Sequence, residues 1–245
     1  MSYYIIIRES RPSDLPKIAE VIRNAYLSNV VPSFLNALTR EFTLQLIVTC
    51  AAILFIFMGV PLKFCFIAIP VLLGVLFIIY SAFYIKSAEL INKRPLQCWV
   101  AEACQPFFTE EQSPKAQYKI IHENHPELEV IDLGNLSRRI VGTIAVSNYN
   151  LLDDSAWLFR LAVDKQVRHK GIGHSLVEVA KTWCKQKNYQ RILLAISECQ
   201  ENTRQMFVTT GFNMKQMYHK QLIGQVFTLL MYQLECDLNR YEHDL

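Results

Sequence analysis

The residues best suited to chemistry lie in one stretch, Trp157 to Leu176, which reads WLFRLAVDKQVRHKGIGHSL. An apolar strand ends at Val163, a polar basic turn follows, and Gly171 and Gly173 open a helix whose apolar face includes Leu176, Val177, Ala180 and Trp183. Glycines at a helix start let the backbone come close to a ligand, the first N–H groups of a helix have no partner inside it, and its dipole favours an anion there. The turn can therefore cradle a pyrophosphate. Arg168 and Lys170 add positive charge beside it. Two related phosphate patterns do not fit. A dinucleotide fingerprint needs a third glycine where this chain has Leu176, and a P-loop needs Gly-Lys-Ser or Gly-Lys-Thr closing the turn. A capped helix with two glycines and no ligand is the plain alternative.

Little else in the chain points to chemistry. Asp153 and Asp154 precede the central strand and read as a solvated turn, while His169 and His174 read as surface residues of the glycine-opened helix. The seven cysteines are odd in number and isolated, with no C-x-x-C pair, so reduced thiols are expected, with no disulfide framework and no metal. A formal charge of +3, with Lys and Arg spread along the chain, excludes nucleic acid as the favoured partner. The N-terminus lacks the basic start and cleavage site of a signal peptide, and Ser2 excludes myristoylation.

The elements that must position this turn read as alternating strands and helices of an α/β (α+β) domain. Tyr3 to Arg8 is a β-rich run, followed by Ser13 as a helix N-cap and by Leu15, Ile18, Ala19, Ile22 and Tyr26 at helical spacing. Strands are expected at Gln97–Ala103, Arg139–Ser147, Ala156–Val163, Arg191–Ile196 and Val226–Leu234, with helices at Gly171–Lys187 and Thr203–Thr210. Residues 104–138, rich in Glu, Pro, His and Asn, read as a surface excursion with one strand around Leu128–Leu133.

Phe42 to Tyr84 is different in kind: it holds one charged residue, Lys63, among Ile, Leu, Val, Phe and Ala. One straight helix of that length would run roughly 64 Å, twice the hydrocarbon thickness, so a break is required. Gly59-Val60-Pro61-Leu62-Lys63 supplies it, giving a two-helix membrane hairpin over 42–60 and 64–84. The expected organisation is a first strand and helix over 1–41, the hairpin over 42–84, and the rest of the domain over 85–240. Arg23, Arg40, Lys86, Lys93 and Arg94 flank the hairpin against Lys63 at its turn, which puts both ends of the hairpin in the cytosol.

Arg168-His-Lys-Gly171-Ile-Gly173 after a strand resembles the R/Q-x-x-G-x-G/A signature of GNAT acetyltransferases. Phe207-Val-Thr-Thr-Gly211-Phe212 resembles the later Y-x-x-x-G-F signature of the same family. Pro32-Ser-Phe34 ahead of the hairpin and Leu158-Phe-Arg-Leu-Ala-Val-Asp164 resemble the camello-like (N-acetyltransferase 8) branch, whose members are membrane-bound. The resemblance implies a GNAT acyl-CoA N-acyltransferase fold, with a mixed, splayed central sheet plus the inserted transmembrane hairpin. It implies acetyl-CoA as cosubstrate and no metal. The acceptor would be a primary amine, on a protein lysine or an amphipathic amino compound such as a cysteine S-conjugate, and the lipid bilayer would be a partner. An endoplasmic reticulum or other endomembrane is the expected location, with the catalytic domain in the cytosol.

Residue by residue, the resemblance implies that the backbone of Leu161 and Val163 pairs with the pantetheine arm while a neighbouring strand splays away. It puts Arg168, Lys170, Gly171, Ile172, Gly173, His174 and Ser175 at the pyrophosphate and Gln200 near CoA. The reaction would be direct attack by a neutral amine on the thioester. The tyrosine that commonly protonates the CoA thiolate falls at Phe207, which has no proton to give. That departure keeps a second reading open, a non-catalytic acyl-CoA-binding membrane protein. A small transporter subunit is a third, disfavoured because neither expected span carries an acid or base of its own.

Overall fold

The protein is described by a computed structural model covering residues 3–38, 68–106, 118–123, 136–149, 154–223 and 227–238, with isolated positions between 45 and 59. The strands are β1 (Tyr3–Glu9), β2 (Gln97–Pro106), β3 (Tyr118–His122), β4 (Leu136–Asn148), β5 (Ser155–Val163), β6 (Arg191–Ser197), β7 (Asn213–Ile223) and β8 (Phe227–Asp237). They form one mixed sheet in the order β3-β1-β2-β4-β5-β6-β8-β7. The β1/β3 and β5/β6 pairs are parallel, and the other neighbours antiparallel.

Period-two alternation along the strands divides their side chains between two apolar layers. One layer joins Ile144, Val146, Leu158, Ile192 and Leu194 to the buried face of the helix Ile172–Gln186. The other joins Val100, Ala145, Phe159 and Ala162 to Ile18, Val21, Ile22 and Ala25 of α1 (Leu15–Leu27). Two further helices, α2 (Val30–Leu38) and α3 (Ala68–Asn92), lie on the α1 side, with α3 packed against α1, α2 and β5. The helix Ile172–Gln186 is α4, and α5 (Glu201–Thr209) follows β6.

Several expectations are revised. Ser13 does not cap α1: it sits inside a single 3-10 turn, Pro12–Asp14, and α1 starts at Leu15. The turn is held by Asp14, whose carboxylate accepts from the Arg11 amide at 2.9 Å and from the buried Arg8 guanidinium at 2.7 Å. The excursion 104–138 is not wholly a surface feature. Within it β3 extends the sheet in register with β1, and Ile121 is buried, because Tyr-Lys-Ile-Ile-His offers the bare edge of β1 a β-prone partner. The strand expected around 128–133 lies outside the described residues.

The first expected span, 42–60, is described only at isolated positions, and of the second, 64–84, only 68–84 is described. There the chain runs as one helix well past Tyr84 to Asn92. Among the described residues one helical segment, Leu73–Asn92, is long and apolar enough to cross a membrane. A hairpin of two spans is therefore not what these residues present.

Candidate functional site: a split sheet edge and a glycine turn

The sheet opens at its centre. β5 pairs with β6 only at Ser155–Arg191, Ala156–Ile192 and Trp157–Leu193, after which the two strands continue without pairing to each other, β5 to Val163 and β6 to Ser197. A bulge in β5 goes with this divergence. Thr143 faces Ala162 and Ala145 faces Phe159, so Arg160 and Leu161 together stand opposite Ile144. Arg160 takes up the extra residue in the left-handed region, at φ 58°.

Beyond the bulge the backbone direction is fixed. The Asp164 amide donates to Val141 O at 2.7 Å, toward β4. Alternation then turns the N–H and C=O of Leu161 and Val163 toward the split, where an extended ligand could take the place of a strand. The Val163 carbonyl is already engaged. Arg168 donates to it through Nε at 3.0 Å and to Ser28 Oγ at the end of α1 through Nη2, also at 3.0 Å. Arg168 thus braces the end of β5 against α1, and burial lowers its pKa.

The turn from β5 to α4 is ordered by its own polar groups. Asp164 caps a 3-10 turn, Lys165–Val167, accepting from the Gln166 amide at 3.1 Å and from Arg139 at 2.6 Å. Val167 is buried beneath it. His169 and Gly171 both take left-handed conformations, at φ 62° and 81°, and Gly171 is the N-cap of α4. The first intrahelical bond runs from the Ser175 amide to Gly171 O at 3.0 Å. The amides of Ile172, Gly173 and His174 precede it, in the turn where no carbonyl of the helix can reach them.

This turn lies against the end of the split. A Cβ on Gly173 would sit 3.1 Å from Met206 Sδ of α5 and 4.0 Å from Val163 Cγ2, and one on Gly171 would sit 3.7 Å from Ile120 Cδ1 of β3. The other sequence-derived residues distribute as follows. The Ile172 side chain is in the core, so only its backbone faces outward, and His174 is exposed. Lys170 holds its ammonium 4.0 Å from the centre of the Tyr118 ring. Ser175 Oγ is turned back on Gly171 O at 3.2 Å. Gln200 Oε1 accepts from Ser197 N and Oγ at 3.3 and 3.5 Å, closing the end of β6 rather than reaching into the split.

Two residues fall outside the site. Phe207 is 2 % exposed and packs edge-to-face on Phe212 at 5.2 Å, so it serves the core. Asp154 stands at the opposite end of β5 from Val163, about 30 Å away along an extended strand. Asp153 lies outside the described residues. Sequence reasoning missed Arg160, although a cation inside an otherwise apolar strand must find partners and was a usable signal.

A parallel pair that parts beside a strand-to-helix turn lined with amides defines a fold that admits an extended, diphosphate-bearing ligand. Residues 96–212 match the model of the Acetyltransferase (GNAT) family, just under half of the chain. That stretch of the chain is therefore similar to a GNAT-family acetyltransferase domain.

Among curated proteins none matches. Among solved structures, a Bacillus anthracis protein in complex with acetyl coenzyme A is similar at 19% identity and a TM-score of 0.40, over 61% of this chain and 66% of that one. That coverage is just under two thirds of its length. An N-acetyltransferase from Staphylococcus aureus is similar at 12% identity and a TM-score of 0.48, over 96% and 98% of the two chains. The ribosomal-protein-S18-alanine N-acetyltransferase of Escherichia coli follows at 11% identity and 0.47, over 96% and 94%.

Proposed function

We propose that the protein transfers acetyl from acetyl-CoA to a primary amine at a membrane surface, as a member of the camello-like branch. The single observation that carries the catalytic part is the parting of β5 from β6 next to the left-handed Gly171 turn. In this reading the amides of Ile172, Gly173 and His174 hold the pyrophosphate, helped by Lys170. Leu161 N–H and C=O and Val163 N–H pair with the pantetheine arm. Arg168 shapes the strand end rather than touching phosphate, since its guanidinium is committed to Val163 O and Ser28.

The chemistry then needs positioning above all. The amine lone pair forms the new C–N bond, the C–S bond breaks, the sulfur leaves as thiolate, and the amine gives up a proton. Phe207 supplies no proton to that thiolate, so protonation falls to solvent or to another hydroxyl. The test is CoA release from acetyl-CoA by the purified, detergent-solubilised protein in the presence of primary amines. Thiol release that tracks amine concentration supports the reading. Binding of acetyl-CoA with no thiol release for any amine favours the non-catalytic acyl-CoA-binding alternative, and no binding at all overturns both.

The membrane part rests on α3. Over Leu73–Asn92, 20 residues or about 30 Å of helix, it leaves Leu73, Phe77 and Ile85 more than half exposed. Val48, Ile53, Phe55 and Ile56 in the preceding segment are exposed as well. Basic residues at 86, 93 and 94 then favour a catalytic domain on the cytosolic side of an endomembrane. Carbonate-washed membranes should retain the protein, and added protease should reach the catalytic domain in intact microsomes. Release by carbonate would overturn the anchoring.

A further inference from the structure

Arg160 is the one charged side chain in the strand that would hold the acyl donor, and it is 5 % exposed. Among the described residues its guanidinium meets no carboxylate. It donates instead to three backbone carbonyls at the C-terminal end of α3: to Leu90 O through Nε at 2.6 Å, to Ile91 O through Nη2 at 2.7 Å, and to Lys93 O. The Lys93 amide donates to Glu89 O at 3.1 Å, so the carbonyls that follow Glu89 are those a helix leaves without amide partners. A planar, permanently charged fork is well matched to such a group of carbonyls, and it lies at the negative end of the helix dipole. Its charge also sits 5.3 Å from the Phe159 ring, which Lys93 covers from 4.6 Å.

The same residue holds the bulge. A left-handed conformation at a non-glycine residue persists only where surrounding contacts impose it, and here the contacts come from 67 to 70 residues away in sequence. The next residue is Leu161, whose backbone groups face the split. We propose that Arg160 is a positioning residue through which the end of α3 sets the geometry of the Leu161–Val163 edge, so that the apolar helix is mechanically part of the transferase site. This rests on the acetyltransferase reading and extends it. The bulge direction, and with it the aim of the Leu161 N–H and C=O, is fixed by where α3 ends.

The experiment uses full-length protein in detergent or vesicles, comparing Arg160→Gly and Arg160→Lys with the unaltered chain. Glycine removes the fork while relieving the left-handed strain, and lysine keeps the charge but not the planar fork. Acetyl-CoA affinity by calorimetry, kcat and KM with a primary amine, and hydrogen exchange at 161–163 are the readouts. The expected result is acetyl-CoA affinity nearly retained through the glycine turn, kcat reduced about 100-fold in Arg160→Gly, and faster exchange at 161–163. Arg160→Lys should fall between, and guanidinium ion added at low concentration should restore part of the glycine variant's kcat. Both variants matching the unaltered kcat, with exchange at 161–163 unchanged, would overturn the proposal. If Arg160→Gly does not fold, Arg160→Lys decides on the same criteria. Failure of the unaltered protein to bind acetyl-CoA is a separate outcome, which overturns the transferase reading and this inference with it.

Discussion

Arg8, Asp14 and Glu102 form a buried trio at the start of the domain. The Arg8 guanidinium donates to Asp14 Oδ2 at 2.7 Å and to Glu102 Oε2 at 3.2 Å, with all three side chains about nine-tenths buried. Removing the cation would leave two uncompensated acids in the interior, so Arg8→Met should lower stability by about 3–5 kcal/mol in a denaturant titration. The hydrogen bond from Arg8 holds the Asp14 carboxyl below its ordinary 3.8. Its contribution is thus complete above that value and falls away as pH drops through the lowered folded-state value. Asp14→Asn should remove this acid-limb dependence, which thermal melts from pH 6 to pH 2.5 would reveal. Burial also pushes the Cys184 thiol up to about 12 and raises the Cys236 thiol. Alkylating reagents at pH 8 should spare both until the protein unfolds, as mass spectrometry would report.

At the scale of elements, the contact between α4 and the sheet is set by a glycine. A Cβ at Gly142 would meet Leu176 Cδ1 at 3.2 Å, Ala101 Cβ at 3.3 Å and Ala162 O at 3.4 Å. Gly142→Val should therefore force α4 outward, lowering stability by about 1–3 kcal/mol in chemical denaturation. Because the first turn of α4 carries the amide cradle, the same variant should bind acetyl-CoA more weakly. The elements around this contact were legible in the sequence. The strand before Gly171 shows as an apolar run and the helix after it by its helical spacing, and the bounds found, Ser155–Val163 and Ile172–Gln186, differ from the expected ones by a residue.

β7 was not legible, since Asn213–Lys220 is exposed throughout and carries no apolar alternation to betray a strand. β3 was hidden inside a polar segment whose partner, β1, is more than a hundred residues away. For the site, the glycine turn could be read because backbone conformation is written in residue type. The opposite aims of Arg168 and Arg160 could not, since each depends on where α1 and α3 end in space.

At the scale of the whole molecule, the sheet has one helical layer that carries the amide turn and another, α1 to α3, that exposes apolar surface. Their meeting line is the β5 edge, where Arg168 ties to α1 and Arg160 ties to α3. An acceptor reaching the split from the α3 side would come along that apolar surface, so amphipathic amines should be better substrates than small hydrophilic ones. Comparing kcat/KM for an alkylated amine and its unalkylated parent, with the protein in vesicles, checks this; equal values would separate the anchor from substrate choice.

The most direct measurement is calorimetric titration of acetyl-CoA into the full-length protein and its Gly171→Val and Gly173→Val variants, with melting temperatures taken alongside. A diphosphate held by the amides of Ile172, Gly173 and His174 predicts one site in the unaltered chain and an affinity lower by at least about tenfold, some 1.4 kcal/mol, in each folded variant. Equal affinity in all three proteins, or no binding to the unaltered one, would contradict it.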